Sequence, residues 1–284
     1  MTPIAVTGST GRLGRRISHR LAHAGVSQRL LVRDIARASR WEDSAAVAAE
    51  YPDTEAVAAG LVGIETVLMV SGSEAPDRLS HHRSFVDGAV QARIAHLVYT
   101  SFVGAAPDAT FTLARDHWAT EEYIKAIGLT YTFLRDNIYA DFIPMMIGED
   151  NVIRGPAGDG RAAIVAQDDI ADVATAVLLD PATHSGRTYD LTGPAALTLT
   201  EIAATLSEVT EQDVSYHPET LEEAYASRAR YGAPRWQVDA WVSTYTAIAA
   251  GELSAVSADI DTVTGHPATP LGDVLRRDRA LGSV

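Results

Sequence analysis

A glycine-rich turn near the start of the chain has the residue types and spacing that could bind a phosphate. Gly8, Gly11 and Gly14 follow the apolar run Ile4–Val6 directly, and an amphipathic helical pattern begins at Leu13. The first glycine allows a tight turn, the second lets the backbone approach a pyrophosphate, and the third lets the helix pack closely on its strand. The anion would lie at the helix N-terminus, which carries unpaired N–H groups. The turn therefore predicts a dinucleotide-binding site.

The residues after the second apolar run, Arg29–Val32, bear on which dinucleotide binds. Arg33 comes first and Asp34 second. An acidic residue here favours NAD through the ribose hydroxyls, whereas an arginine can pair with the 2′-phosphate of NADP. Arg12 can reach the same region, and a planar guanidinium suits bidentate phosphate binding. We expect NADP(H) to be preferred and NAD(H) to be possible, although two solvated surface arginines would give the same pattern.

The proton-donating pair Tyr-x-x-x-Lys of short-chain dehydrogenases is excluded, because Lys125 is the only lysine and Glu121 lies four residues before it. In that motif the lysine lowers the pKa of the tyrosine. Ser101 remains where a catalytic serine would lie. His117 and Glu121 share a helix face, so His117 is either a general acid or substrate contact, or a partly exposed histidine paired with a surface glutamate. We expect His82, on the preceding helix, to be exposed.

Strands and helices must alternate along the first half of the chain to position these groups. Strands at this spacing indicate a parallel sheet with helices on both faces, which is the doubly wound Rossmann type of α/β fold. The small-residue loop Ser71–Ser73 follows a buried strand, and a cofactor would lie at such a loop. The predicted strands are Ile4–Val6, Arg29–Val32, a weak one near Ala45–Ala49, Thr66–Val70, His96–Thr100 and Thr130–Leu134, with helices over Asp77–Arg93 and Leu113–Ile127.

The pattern changes from Asp136. We expect residues 1–135 to form the NAD(P)-binding Rossmann domain, with 160–185 returning to it. We expect 136–159 and 186–284 to form a smaller α+β substrate-binding lobe. The elements predicted in this half are a strand over Ala162–Ala166, a helix over Asp168–Leu179, a strand at Thr188–Leu191, a helix capped by Thr198 with Glu201 at capping-box spacing, a strand at Val214–Tyr216, helices over Leu221–Arg230 and Arg235–Ala249, and a short last helix after Pro270.

The composition excludes several functions. The formal charge of −14 argues against a nucleic-acid partner, and the absence of cysteine excludes disulfides, thiolate metal sites and a cysteine nucleophile. The histidines and acidic residues have no metal-ligand spacing, so no metal is predicted. No apolar run approaches the roughly 18 residues of a membrane span, and a strand begins the chain without room for a signal peptide. We expect a cytoplasmic monomer or homodimer with no membrane partner.

Seven short segments, spread over nearly the whole chain, carry a family resemblance. They are Thr7–Gly14, Tyr99–Ser101, Tyr131–Arg135, Gly158–Gly160, Asp169–Ala171, Leu191–Pro194 and Gly265–Pro267. In order and spacing they resemble the motifs of the NmrA-like atypical short-chain dehydrogenases, most of all the branch of NAD(P)H:quinone oxidoreductases and triphenylmethane-dye reductases. That family often lacks the Tyr-Lys pair. Glu50–Asp53 departs from the family pattern, which leaves adenine contacts by Glu50 and Tyr51 open.

The resemblance implies a set of site residues and a substrate cleft between the two lobes. For the cofactor these are Gly8, Ser9, Thr10, Gly11, Arg12, Leu13, Arg33, Ser71, Gly72, Ser73 and Thr100. The candidate catalytic residues are His117, Ser101 and Asn137, with Tyr139 and Phe142 as substrate contacts.

The function predicted from these features is NAD(P)H-dependent hydride transfer to a quinone or related aromatic electrophile, without flavin. A quinone is highly electrophilic and its reduced form is a stable aromatic phenolate, so it needs no strong proton donor. Tyr139, Phe142, Trp236 or Trp241 could stack on such a ring or could be core residues. Two alternatives stay open: an aromatic-polyketide tailoring enzyme, including a nicotinamide-assisted monooxygenase, and a non-catalytic NAD(P) redox-sensing regulatory protein.

Overall fold

Alternating strands and helices build the first half of the chain in the computed structural model, which describes residues 3–280. The strands are β1 (Ile4–Thr7), β2 (Gln28–Val32), β3 (Ser44–Ala48), β4 (Thr66–Met69), β5 (His96–Phe102), β6 (Tyr131–Asp136), β7 (Val152–Gly155), β8 (Arg161–Ala162), β9 (Arg187–Leu191), β10 (Leu197–Thr198) and β11 (Ser215–Pro218). The α-helices are α1 (Arg12–His23), α2 (Thr54–Gly60), α3 (Arg78–Gln91), α4 (Thr112–Ala126), α5 (Gln167–Leu179), α6 (Leu199–Thr210), α7 (Leu221–Arg228), α8 (Arg235–Ala249), α9 (Asp259–Thr264) and α10 (Leu271–Ala280). Three 3-10 helices cover Ile35–Arg37, Ala140–Met146 and Ala229–Tyr231.

A seven-stranded sheet in the order β3-β2-β1-β4-β5-β6-β9 confirms the predicted Rossmann α/β fold. β1 pairs in parallel with both β2 and β4, so that Ile4 lies between Gln28 and Thr66. From β1 to β3 the strands are added on one side of β1, and from β4 onwards they are added on its other side. The loops after β1 and β4 therefore leave the same edge of the sheet side by side. In doubly wound sheets this crevice is where ligands bind.

The chain divides into two compact units. The first contains the chain up to Ser101 together with Asp116–Arg135 and Ile170–Tyr189, and the second contains Phe102–Arg115, Asp136–Asp169 and the chain from Asp190 onwards. Compactness alone does not show what either unit binds, so the division into a cofactor-binding and a substrate-binding domain stays a prediction.

Each unit has its own apolar core. In the first, Phe85 of α3 is fully buried in one cluster with Tyr99 and Phe133 of the sheet. In the second, apolar side chains of α6, α8 and α10 pack together, among them Ile202 and Ile248.

Several local predictions in the second half are confirmed and one is wrong. Thr198 caps α6 in a capping box with Glu201, as its spacing predicts. The strand predicted over Ala162–Ala166 is wrong in extent, because only β8 forms there, while Val165 makes an isolated bridge to Tyr139. Its backbone pairs instead with segments outside the strands, because the N–H of Ala163 donates to Leu253 and the N–H of Val165 to Ile138. The sequence did not predict β7 or the 3-10 helix Ala140–Met146.

Residues 3–280 lack two kinds of structural feature. No helix among them is long and apolar enough to cross a membrane. No group of three or more histidine, cysteine, aspartate or glutamate side chains among them is arranged to hold a metal ion.

Candidate functional site

The glycine turn joins β1 to α1 in a geometry that only glycine permits at two of its positions. Gly8 has φ +63°, in the left-handed region, which residues with a Cβ atom rarely adopt. A Cβ at Gly14 would lie 2.3 Å from the carbonyl oxygen of Gly8, so the helix can approach the turn only without a side chain there. The N–H of Gly11 donates to the same oxygen at 2.9 Å. The backbone conformation requires glycine at Gly8 and the packing requires it at Gly14, whereas a Cβ at Gly11 would lie 3.3 Å from the Gly8 oxygen.

The turn has the donors that a dinucleotide phosphate needs. The first N–H groups of α1 have no partner within the helix and lie at its positive end. Gly11 caps this helix without a side-chain hydrogen bond. The hydroxyl of Ser9 is fully buried and has no hydrogen-bond partner among the described residues. A buried polar atom without a partner is rare, and an anion at the turn would supply one. These residues therefore fit the predicted cofactor.

The segment after β2 separates the roles of Arg33 and Asp34. The carboxylate of Asp34 accepts from the backbone N–H of Ala36 at 2.9 Å and caps the following 3-10 helix. Arg33 is exposed. Arg12 is also exposed, at the start of α1. The backbone thus uses one carboxylate oxygen of Asp34, while the exposed Arg33 and Arg12 are cations that could pair with a 2′-phosphate.

Tyr51 links the ends of β1 and β4 beside the turn. Its hydroxyl donates to the carbonyl of Val70, and Thr7 Oγ1 lies 2.6 Å from the same hydroxyl. The N–H of Val70 donates to Thr7 Oγ1 at 2.9 Å. Because Val70 has both backbone groups held, the loop that begins at Ser71 starts from a fixed position. Tyr51 thus has a structural role that the sequence left open.

The loop Ser71–Ser73 is held by three side chains from two other elements, β5 and α3. The N–H of Ser71 donates to Thr100 Oγ1 at 2.8 Å. The N–H of Gly72 donates to His82 Nε2 at 2.9 Å, and the carbonyl of Gly72 accepts from Arg78 Nε at 2.8 Å. The expectation that His82 is exposed is wrong, because its side chain is completely buried under this loop.

His117 belongs to the same buried network. Its Nε2 lies 2.9 Å from an Arg78 nitrogen, and its Nδ1 lies 3.0 Å from the hydroxyl of Tyr99. Because arginine can only donate, Nε2 must accept, and the neutral ring carries its proton on Nδ1. Burial, with the Arg78 charge beside it, holds the pKa of His117 well below its ordinary value. The ring is therefore neutral, and both its nitrogens are bonded within the protein.

His82 is neutral for the same reasons. Burial and the Arg78 charge lower its pKa to about 2. Since its Nε2 accepts from Gly72, its proton is on Nδ1, which donates to Thr120 Oγ1 at 2.9 Å. Arg78, His82 and His117 together form a network around Gly72, which we call the Gly72 clamp.

Ser101 contacts a different group of side chains. Its hydroxyl donates to Glu121 Oε1 at 2.6 Å, and Arg135 donates to both carboxylate oxygens of Glu121 at 2.9 and 2.6 Å. Glu121 is fully buried, so the interpretation of Glu121 as a surface residue is wrong. Lys125 takes no part in this group, because it pairs with Glu122 at the surface. Ser101 and Glu121, which occupy the positions of the catalytic serine and tyrosine of short-chain dehydrogenases, are thus joined with Arg135 in a buried ionic group.

In the second unit, Asn137 and Tyr139 differ in what they bind. Asn137 is buried, its amide donates to the carbonyl of Leu253 at 3.0 Å, and its oxygen accepts from the N–H of Ile138 at 2.8 Å. Tyr139 is half-buried, and its ring meets Phe142 edge-on at 5.4 Å between centroids. Asn137 thus uses its side chain to hold backbone, whereas Tyr139 and Phe142 form an aromatic pair.

Asp136 is a buried side chain that the sequence did not indicate. It is 1% exposed, and Oδ2 accepts from the Tyr139 hydroxyl at 2.8 Å, while Oδ1 has no hydrogen-bond partner among residues 3–280. Burial raises the pKa of Asp136 to about 8. The carboxyl is therefore protonated at neutral pH and can donate as well as accept. Asp136 follows the charged residue Arg135, so the local sequence does not indicate that its carboxyl is buried.

The second unit also contains a cavity of about 660 Å³. It lies beside the 3-10 helix Ala140–Met146 and α8, and its lining includes Phe142, Met145, Met146, Tyr231, Trp241 and Tyr245. This volume lies within the range of small-molecule sites, and aromatic and thioether side chains suit a flat apolar ligand. We call it the aromatic cavity.

The doubly wound sheet and its glycine turn define a Rossmann-type α/β protein. The chain belongs to the NmrA-like family, whose match covers residues 2–233. The chain is 30% identical over 278 residues to quinone oxidoreductase 2 of Escherichia coli (strain K12), covering 95% of this chain and 96% of that protein. It is 29% identical over 284 residues to the NAD(P)H azoreductase of Xenophilus azovorans, covering 98% of each.

Two solved structures extend the similarity. The E. coli NADPH-dependent quinone oxidoreductase in complex with NADPH superimposes with a TM-score of 0.87 at 30% identity, over 96% of this chain and 99% of the other. The Citrobacter sp. triphenylmethane reductase in complex with NADP(H) superimposes with a TM-score of 0.85 at 29% identity, over 96% and 99%. These comparisons confirm the family and the fold that the sequence motifs predict.

Proposed function

We propose that this protein is an NAD(P)H-dependent oxidoreductase, with NADP(H) preferred, that transfers hydride to a quinone or related aromatic electrophile without flavin. The observation that carries the proposal is the glycine turn with its unpartnered Ser9 hydroxyl, in a chain similar over its length to NAD(P)H-dependent quinone and azo reductases.

Each cofactor group has a counterpart in the first unit. Gly8–Leu13 would hold the diphosphate, Arg33 and Arg12 the 2′-phosphate, and Ser71–Ser73 the nicotinamide-side ribose and phosphate. Bound NADPH supplies the hydride. Because the Gly72 clamp fixes both backbone groups of Gly72, this loop can bind cofactor without being ordered first.

The arrangement of Ser101 and His117 favours an acceptor that needs little acid catalysis. The Ser101 hydroxyl donates to a carboxylate, and both nitrogens of His117 are bonded to Arg78 and Tyr99. His117 therefore acts as a positioning residue for the Gly72 loop rather than as a proton donor. An ordinary ketone would need a donor at its developing alkoxide, whereas a reduced quinone is stabilised by its own aromatic ring.

The aromatic cavity is the proposed binding place of the acceptor ring. Phe142 lines it and packs against Tyr139, whose hydroxyl is bonded to the protonated Asp136. The rings would orient a flat acceptor, and positioning of this kind can carry much of the catalysis.

An acceptor panel tests the proposal. NADPH oxidation is followed by absorbance under anaerobic conditions with 1,2-naphthoquinone, an azo dye, a triphenylmethane dye and an aliphatic ketone, and NADPH binding is measured separately by calorimetry. We expect turnover with one or more of the aromatic acceptors and none with the ketone. Binding of NADPH without oxidation by any acceptor would reject the enzyme and favour a cofactor sensor. Turnover that appears only when the same assay is repeated in air would favour an oxygenase.

A further inference from the structure

The charged residues in the lining of the aromatic cavity are all arginines. Arg154, Arg228 and Arg230 line it, and none of its lining residues within the described chain is a carboxylate. The whole protein has a formal charge of −14, so an anion approaching it is repelled at long range. Within a Debye length of about 8 Å the local cations determine the interaction. The arginines in the lining therefore make the cavity locally attractive to an anion in an otherwise acidic chain.

Two of the three arginines are already paired with carboxylates. Arg154 makes a bidentate ion pair with Asp150, at 2.8 and 2.6 Å. Arg228 is buried and bonds Glu219 at 2.8 Å, while its guanidinium lies 5.1 Å from the centre of the Tyr245 ring. The charges of both arginines are therefore compensated by carboxylates, and both side chains help to fix the lining of the cavity.

Arg230 is the remaining cation. It is exposed, and it donates to the hydroxyl of Tyr231 at 2.9 Å with its guanidinium 4.9 Å from that ring. Within residues 3–280 it makes no ion pair with a carboxylate, and the charge of Glu149 acts on it only from a longer distance. Its charge is thus available at the cavity, beside an aromatic ring that is 59% exposed.

We infer that the aromatic cavity takes a flat aromatic ligand that carries one acidic group, a sulfonate or carboxylate, with the acidic group on Arg230. The ring would lie against Phe142 and Trp241, which line the same cavity. A planar guanidinium matches the paired oxygens of a carboxylate or sulfonate. The inference rests on the proposed function, because it names the class of acceptor that the enzyme would prefer.

A matched pair of fluorescent probes tests the binding without any turnover. 1-Anilinonaphthalene-8-sulfonate and N-phenyl-1-naphthylamine share their ring system and differ in the sulfonate. We expect Arg230→Gln to weaken binding of the sulfonate about three- to tenfold, as for a partly solvated ion pair, and to leave the neutral probe unchanged. Added salt should weaken only the sulfonate in the wild type.

Two variants control the result. Arg235→Gln removes another exposed arginine, 74% accessible, that lies outside the cavity lining, and it should change neither affinity. Thr244→Trp fills the cavity and should weaken both probes. Equal affinities of wild type and Arg230→Gln for the sulfonate, or full sulfonate binding by Thr244→Trp, would overturn the inference.

An enzymatic comparison of a sulfonated and a neutral quinone separates the inference from the proposed function. With NADPH, Arg230→Gln should raise the Michaelis constant for the sulfonated acceptor, 1,2-naphthoquinone-4-sulfonate, about three- to tenfold. The same variant should leave the Michaelis constant for the neutral acceptor, 1,2-naphthoquinone, and the kcat for either quinone unchanged. If neither quinone is reduced but the probe difference is found, the proposed function fails and the anion site stands. If both are reduced with Michaelis constants that Arg230→Gln leaves unchanged, the anion site fails and the proposed function stands.

Discussion

Replacing Asp136 with asparagine tests whether this buried carboxyl is protonated in the folded protein. Its pKa is raised from 3.8 to about 8, chiefly by burial. Below the unfolded pKa the group is protonated in both states. As pH rises, the unfolded chain ionises first, so the favourable contribution of the protonated carboxyl is lost progressively and is gone above about pH 8. Asparagine does not ionise and should not show this loss.

The magnitude follows from the size of the pKa shift. Between about pH 5 and about pH 8 the carboxyl is ionised in the unfolded chain and protonated in the folded protein. The free energy of unfolding of the wild type therefore falls by about 1.4 kcal/mol for each of these roughly three pH units, or by about 4 kcal/mol in all. An asparagine N–H group placed at the unpartnered Oδ1 position adds a cost of about 1–3 kcal/mol, which is the same at every pH. The pH-dependent part of the difference between variant and wild type is therefore the quantity to measure.

Urea denaturation at several pH values provides the assay. The free energy of unfolding of Asp136→Asn, relative to wild type, should rise by about 4 kcal/mol from about pH 5 to about pH 8. Asp108→Asn, at an exposed carboxylate, is the matched control for the loss of a carboxylate. A pH-independent difference for Asp136→Asn would refute the raised pKa and with it the protonated carboxyl beside Tyr139.

Three further substitutions test the cofactor site and the buried ionic group. Arg33→Ala should weaken NADPH binding about tenfold in calorimetry and leave NADH nearly unchanged, because only NADPH has a 2′-phosphate; equal effects would remove Arg33 from the site. Gly14→Ala should lower the free energy of unfolding by about 2 kcal/mol in urea, because its Cβ would lie 2.3 Å from a carbonyl oxygen, whereas Gly60→Ala, with 3.5 Å to its nearest neighbour, should be tolerated. Glu121→Gln should cost about 2 kcal/mol by leaving Arg135 without its carboxylate, and a loss below about 0.5 kcal/mol would contradict a structural role for this pair.

Local patterns were sufficient for the fold. The glycine spacing predicted the turn between β1 and α1, and Thr198 with Glu201 predicted the start of α6, because each depends on residues a few positions apart. The apolar runs located the inner strands of the sheet, since strands buried on both faces are apolar throughout, whereas the edge strands β3 and β9 are only partly buried. The strand predicted over Ala162–Ala166 failed because a short apolar run does not reveal whether a pairing partner exists.

The sequence by itself determined the cofactor turn and the absence of the Tyr-Lys pair, because both depend only on residue type and spacing. The tertiary structure alone decided the state of the polar groups. Arg78 and His82 of α3 meet His117 of α4 around Gly72, and Asp136 is protonated because of its burial. Burial and hydrogen bonds across elements depend on how helices and strands pack, and packing sets the cost of a charge and hence which groups can exchange a proton.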